Sequence, residues 1–114
     1  MDRKHRLTGS SDFQRVRTSG TSYAHPFVVL VACPNDMPLT RFGVSAGRQL
    51  GTAVRRNRAK RRLRAALETI RPHVLPGWDA VWIIRTDMAT AAWPEVTRAV
   101  ASLGRRAGLL TARS

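Results

Sequence analysis

The sequence predicts an α+β fold in which three helices cover one small central β-sheet. Three observations carry this. Stripes of apolar residues at helical spacing occur in three places, short β-branched or alternating runs lie between them, and the resulting order is helix, strand, strand, helix, strand, helix. A chain of 114 residues holds one hydrophobic core. No internal repeat or low-complexity linker divides it, so residues 1–114 read as a single domain with a basic arm at 1–9 and a flexible end at 108–114.

The first element is "SSDFQRVRTSG". Ser11 followed three residues later by Gln14 forms a capping box and Gly20 a stop, which predicts a helix over about residues 12–18 with Phe13 and Val16 on its apolar side. "YAHPFVVLVACP", bracketed by Pro26 and Pro34, reads as one strand buried on both faces, and "NDMPLT" as a loop. "RFGVSAGR" alternates, with Phe42, Val44 and Ala46 on one face and Gly43, Ser45 and Gly47 on the other. That bare second face either makes room for a packed helix or forms a floor that a nucleic acid backbone can approach.

Thr52 is placed to cap a helix over residues 53–71, which Pro72 ends. Ala59, Leu63, Ala66, Leu67 and Ile70 form its buried seam. The Pro76-Gly77 turn leads into a strand over residues 78–86, in which Trp78 and Trp82 read as core. The final helix, over residues 92–107, repeats Trp93, Val96, Val100 and Leu103, and Arg105, Arg106 and Arg113 read as a solvated tail.

The functional signal is charge. The stretch "AVRRNRAKRRLRAAL" carries seven cations in the ten positions from Arg55 to Arg64 and no acid. Like charges one turn apart destabilise a helix by about 0.2–0.5 kcal/mol per pair, and cations in its first half oppose the macrodipole. An ordinary solvated face mixes signs, whereas this one is built for a partner of dense negative charge. The whole chain agrees, with 20 Lys and Arg against 7 acids, a net charge of +13 and 43% apolar residues: basic, yet able to form a core. Asn57 adds a directional polar group within the run, Tyr23 is a candidate stacking platform for unpaired bases, and Phe13 is either such a platform or core.

Other classes find little support. Cys33 is the lone cysteine, so there is no disulfide framework, and a reducing, cytoplasmic setting fits. His5, His25 and His73 lack ligand spacing, so no metal held by side chains alone is expected. The start lacks the apolar region of a signal peptide, and the longest apolar run is too short to span a membrane. The five Asp and two Glu are scattered singly, so no catalytic residue is expected, and no phosphate-cradling glycine loop is present.

At "GTAVRRNRAKRRLR" the sequence resembles the protein subunit of bacterial ribonuclease P, whose hallmark is Arg-Asn-Arg followed by x-Lys-Arg-x-x-Arg on a helix, here Arg56, Asn57, Arg58, Lys60, Arg61 and Arg64. "DFQRV", "RFGVSAGRQLG" and "LPGWDAVWIIR" resemble further blocks of that family in the same order. The resemblance implies an α+β, ribosomal-protein-S5-domain-2-like topology with a left-handed βαβ crossover around the basic helix, against the general right-handed rule. It also implies an accessory subunit of an endoribonuclease that removes the 5′ leader of precursor tRNA, with catalysis by the RNA subunit and Mg²⁺ bound there and by substrate.

Carried onto this chain, the resemblance assigns Arg48, Arg55, Arg56, Asn57, Arg58, Arg61 and Arg62 to the catalytic RNA, and a leader-binding cleft to Phe13, Arg17, Val31, Lys60 and Arg64. No membrane and no further protein partner is implied. Arg17 and Val31 stand where the family commonly has aromatics, and Gln49 where a second lysine often follows the position of Arg48. A structural RNA-binding protein of ribosomal type is the alternative reading, and a DNA-binding protein using the basic helix a weaker third.

Overall fold

The computed structural model describes residues 3–111. Three helices, α1 (Ser10–Ser19), α2 (Ala53–Glu68) and α3 (Trp93–Ala107), surround four strands, β1 (Thr21–Ala24), β2 (Val28–Pro34), β3 (Arg41–Ala46) and β4 (Trp78–Ile84). The sheet order is β1-β2-β4-β3. β2 is antiparallel to both of its neighbours, with Thr21 opposite Ala32 and Val28 opposite Ile84. β3 runs parallel to β4, from Arg41 opposite Asp79 to Ala46 opposite Ile84, and α2 connects the two. This mixed sheet with three helices is the α+β class the sequence predicts.

Strand alternation sends successive side chains to opposite faces, and the two faces carry different helices. Leu30, Ala80, Trp82 and Ile84 face the main core, where the seam of α2 (Ala59, Leu63, Ala66 and Leu67), Ile70 just beyond its end, and Val96, Val100 and Leu103 of α3 are all buried. Val31, Cys33 and Val81 face the other way, beneath Val16 of α1 and Leu7. The Phe42 and Trp82 rings meet edge to face at 5.6 Å between centroids, a favoured aromatic geometry.

Several boundaries differ from the sequence reading. The expected single strand over "YAHPFVVLVACP" is a hairpin: His25-Pro26-Phe27 form its turn, the Phe27 N–H donating to His25 Nδ1 at 3.1 Å, and β1 is a separate edge strand. α1 begins at Ser10 with Gly9 as N-cap and without a side-chain capping bond, so the Ser11–Gln14 box does not form. Thr52 does cap α2, accepting from the Arg55 N–H at 3.3 Å. α2 ends at Glu68, and Arg71–His73 form a separate 3-10 turn, because Pro72 lacks the N–H that would extend the α-helical ladder. β4 stops at Ile84, followed by a 3-10 turn at Thr86–Thr90, and Trp93 is 42% exposed rather than core.

The described parts of the basic arm and of the end expected to be flexible both pack against the fold. At the start, Arg6 bridges Phe42, the Leu7 N–H donates to the Phe42 carbonyl at 2.8 Å, and Leu7 is buried. At the end, Gly108 takes a left-handed conformation (φ 85°) that closes α3 and turns the chain back, burying Leu109 and Leu110 in the main core. The Leu75 N–H donates to the Leu109 carbonyl at 2.8 Å. A glycine in that conformation followed by apolar contact is the usual end of a helix, so the flexible end does not begin at 108; residues 112–114 lie outside the described residues. Arg106, expected to be solvated, donates to the Ala24 carbonyl at 2.8 Å and lies over the Tyr23 ring.

Candidate nucleic-acid interface

The outer edge of β3 is the floor of the main groove. Strand β4 covers one edge of β3, and the other is paired only at its start, by Leu7. Because the Phe42 carbonyl points outward, the period of two makes the peptide groups of Val44 and Ala46 point outward as well. α1 rises on one side of this edge and α2 on the other, leaving a groove of about 670 Å³. Phe13, Gln14 and Arg17 line its α1 wall, Lys60 and Arg64 its α2 wall, and Arg6 enters from the amino-terminal segment. Among the described residues, four cations and no carboxylate line it.

Gly43 makes this shape possible. A Cβ there would lie 2.6 Å from Cζ of Phe13, so only glycine lets the ring rest on the strand. The bare face of β3 is divided: Gly43 receives α1, while Ser45 stays on the groove floor, where its Oγ accepts from Arg17 Nη2 at 3.0 Å.

Of the expected cleft residues, Phe13, Arg17, Lys60 and Arg64 line this one groove. Val31 does not. It points to the face beneath α1, where it packs with Val16 and Val81 and is 6% exposed, because β2 lies two strands inward from the β3 edge.

The cations of α2 divide by their partners. Arg55, Asn57, Arg58 and Arg61 are exposed, as is Arg48 in the 3-10 turn ahead of the helix. Arg56 is half-buried and donates to the Gly51 carbonyl at 2.9 Å. Arg62 is occupied: its Nη1 donates to the Met88 carbonyl at 2.6 Å and its Nη2 to the Ala91 carbonyl. Its role is to fasten α2 to the segment before α3, which sequence spacing alone does not reveal. No ion pair neutralises any cation from Arg55 to Arg64 among the described residues.

A second polar cluster went unread in the sequence. Asp79 is fully buried on the α1 face of β4. Its Oδ1 accepts from Asn35 Nδ2 and Arg41 Nε, each at 2.9 Å, and its Oδ2 from Arg41 Nη2 at 2.7 Å and from Arg15 Nη2. Burial pushes the carboxyl up, but the hydrogen bonds from Arg41, Asn35 and Arg15 outweigh it and hold Asp79 below the usual carboxylate range. The signal was an acid inside the apolar run "WDAVWII", which requires cations from neighbouring elements.

A groove of described residues with one sign of charge, open to solvent beside a helix that exposes Arg55, Arg58 and Arg61, fits a nucleic acid. The family model described as Ribonuclease P matches residues 1–108. The chain belongs to the ribonuclease P protein family. Among relatives, the ribonuclease P protein component of Herpetosiphon aurantiacus is 40% identical over 96% of this chain and 89% of its own length. That of Dehalococcoides mccartyi strain 195 is 39% identical over 97% and 91%. Among solved structures, the RNase P protein of Staphylococcus aureus superposes with a TM-score of 0.82 at 27% identity, covering 94% of this chain and 98% of that one. The RNase P protein from Thermotoga maritima gives 0.80 at 27% identity, covering 89% and 96%. As a ribonuclease P protein, the chain is a subunit of an endoribonuclease with an RNA partner, as the basic helix and its Arg-Asn-Arg motif led the sequence reading to expect.

Proposed function

We propose that this ribonuclease P protein binds the catalytic RNA through the exposed cations of α2 and holds the 5′ leader of precursor tRNA in the groove at the β3 edge. The observation that supports this most is the groove itself: an aromatic ring, four cations and an open strand edge side by side, continuous with a helix on which Arg55, Arg58 and Arg61 stay exposed. A single-stranded leader presents phosphates and unstacked bases. Lys60, Arg64, Arg17 and Arg6 neutralise the phosphates, and Phe13 offers a face for a base. Arg48, Arg55, Arg58 and Arg61 meet the phosphates of the RNA subunit, with Asn57 among them as a directional donor and acceptor. Arg56 shares this end of the helix while its guanidinium also braces Gly51.

In this reading the protein performs no bond cleavage. It screens phosphate repulsion between two RNAs and fixes the leader relative to the catalytic RNA, which carries out hydrolysis of one phosphodiester. The donor set that the described residues bring to the groove, cations, hydroxyls and peptide groups without a carboxylate, does not suit a divalent cation. Among the described residues no group of three or more His, Cys, Asp or Glu is placed to hold a metal. Mg²⁺ therefore belongs in this proposal to the RNA subunit and substrate, and no step on the protein runs through it. No helix among the described residues is long and apolar enough to cross a membrane, and the cytoplasm, where tRNA precursors are made, is the setting proposed.

The test is reconstitution. Adding the protein to the catalytic RNA and a precursor tRNA at low Mg²⁺ accelerates release of the leader; no acceleration refutes the reading.

A further inference from the structure

The Asp79 cluster contributes no side chain to the groove, yet it governs one groove wall. α1 has ten residues and a single fully buried side chain, Val16. At 100° per residue, Phe13 and Arg17 lie on one side of Val16 around the helix and Arg15 on the other. Val16 is thus a pivot. Rolling α1 about it would lift Phe13 off Gly43 and part Arg17 from Ser45. What opposes that roll on the far side is Arg15, which reaches Asp79 through Nη2 and lies 3.8 Å from the Cys33 sulfur through Nη1. Asp79 is itself clamped by Arg41 of β3, the strand that forms the groove floor.

We propose that Arg15 and Asp79 are positioning residues for the leader groove: their ion pair fixes the roll of α1, and with it the places of Phe13 and Arg17, without touching either RNA. The inference rests on the leader reading above. α2 does not share this dependence, since its seam is buried in the main core, Thr52 caps it and Arg62 ties it to the Met88 and Ala91 carbonyls. Perturbing Arg15 therefore separates leader binding from assembly with the catalytic RNA.

The experiment uses the reconstituted holoenzyme with two precursor tRNAs, one carrying a leader of about ten nucleotides and one a single-nucleotide leader. Arg15→Ala leaves Asp79 bound to Arg41 and Asn35, so the buried charge stays compensated and the fold survives. With the long leader, KM rises about tenfold, the worth of one contact of about 1.4 kcal/mol. KM for the short leader, kcat at saturation and affinity for the catalytic RNA stay at wild-type values. Arg15→Lys, which keeps a cation beside Asp79, restores most of the long-leader affinity. A long-leader KM unchanged in Arg15→Ala, against a wild type that favours the long leader, overturns the inference alone. Equal losses on both leaders, or weaker assembly, overturn it by showing a general loosening. A wild type indifferent to leader length overturns the leader reading itself, and this inference with it.

Discussion

Replacing Asp79 by asparagine tests what fastens α1 and β3 to β4. The substitution keeps the size of the side chain and leaves one oxygen to accept from Asn35 and the Arg41 Nε. Where Oδ2 now accepts from Arg41 and Arg15, it places an amide donor against two guanidinium donors. Arg41 and Arg15 then lose their shared buried counter-charge, although both reach solvent and Arg15 keeps Asp12 at 3.6 Å. Because the cations are partly solvated, the cost is that of the lost charge-assisted hydrogen bonds, about 1.5–3 kcal/mol, below the cost of breaking a fully buried pair, and for a domain of this size it lowers Tm by roughly 6–12 °C. Thermal unfolding at neutral pH measures it. The pH dependence follows from the same carboxyl. Because its folded-state pKa lies below the unfolded value of about 3.9, its contribution is fully present above that value and is lost as pH falls through the depressed folded value. Wild-type stability thus declines on acidification through that window, and Asp79→Asn flattens the decline. A loss below about 1 kcal/mol, or an unchanged acid limb, would refute the reasoning, since a surface pair is worth no more than that.

Three further outcomes follow from the arrangement of α2 and the groove. Arg62→Ala frees the Met88 and Ala91 carbonyls and lowers stability by about 2 kcal/mol, whereas Arg58→Ala leaves urea unfolding within about 0.5 kcal/mol of wild type and weakens assembly with the catalytic RNA. Leu63→Ala, in the centre of the buried seam, costs about 2–5 kcal/mol in the same unfolding assay. Replacing Lys60 and Arg64 together by alanine reduces the salt dependence of leader binding by about 1.4 in the log–log slope, at about 0.7 per single-strand phosphate contact.

Much of this was legible from the order of residues because it depends on local periodicity. The seam of α2 and the Thr52 cap follow from spacing within one helix, and the cationic run identified the partner class because so many like charges without an acid among them are not needed to fold a monomer. What escaped depends on pairing across the fold. Val31 belongs to a strand whose faces are both covered, so its place beneath α1 depended on which strand became the edge. Arg62 borders the seam like any other flanking cation until the Met88 and Ala91 carbonyls arrive beside it. β1 was concealed by its short, mostly exposed sequence next to a buried run, with Pro26 reading as a bracket instead of a turn. Asp79 and the Gly108-Leu109-Leu110 return left signals that residue chemistry explains: a lone acid in an apolar strand, and apolar residues directly after a helix-ending glycine.

The central claim is that the groove at the β3 edge is a leader site and the exposed arginines of α2 are an RNA-subunit site. Affinity of the reconstituted complex for the same tRNA with and without its 5′ leader tests this most directly. The account predicts tighter binding of the leadered form, a preference that Lys60→Ala with Arg64→Ala diminishes and Arg58→Ala leaves in place. Equal affinity for the two forms in the wild type would contradict it and favour a passive RNA-binding role.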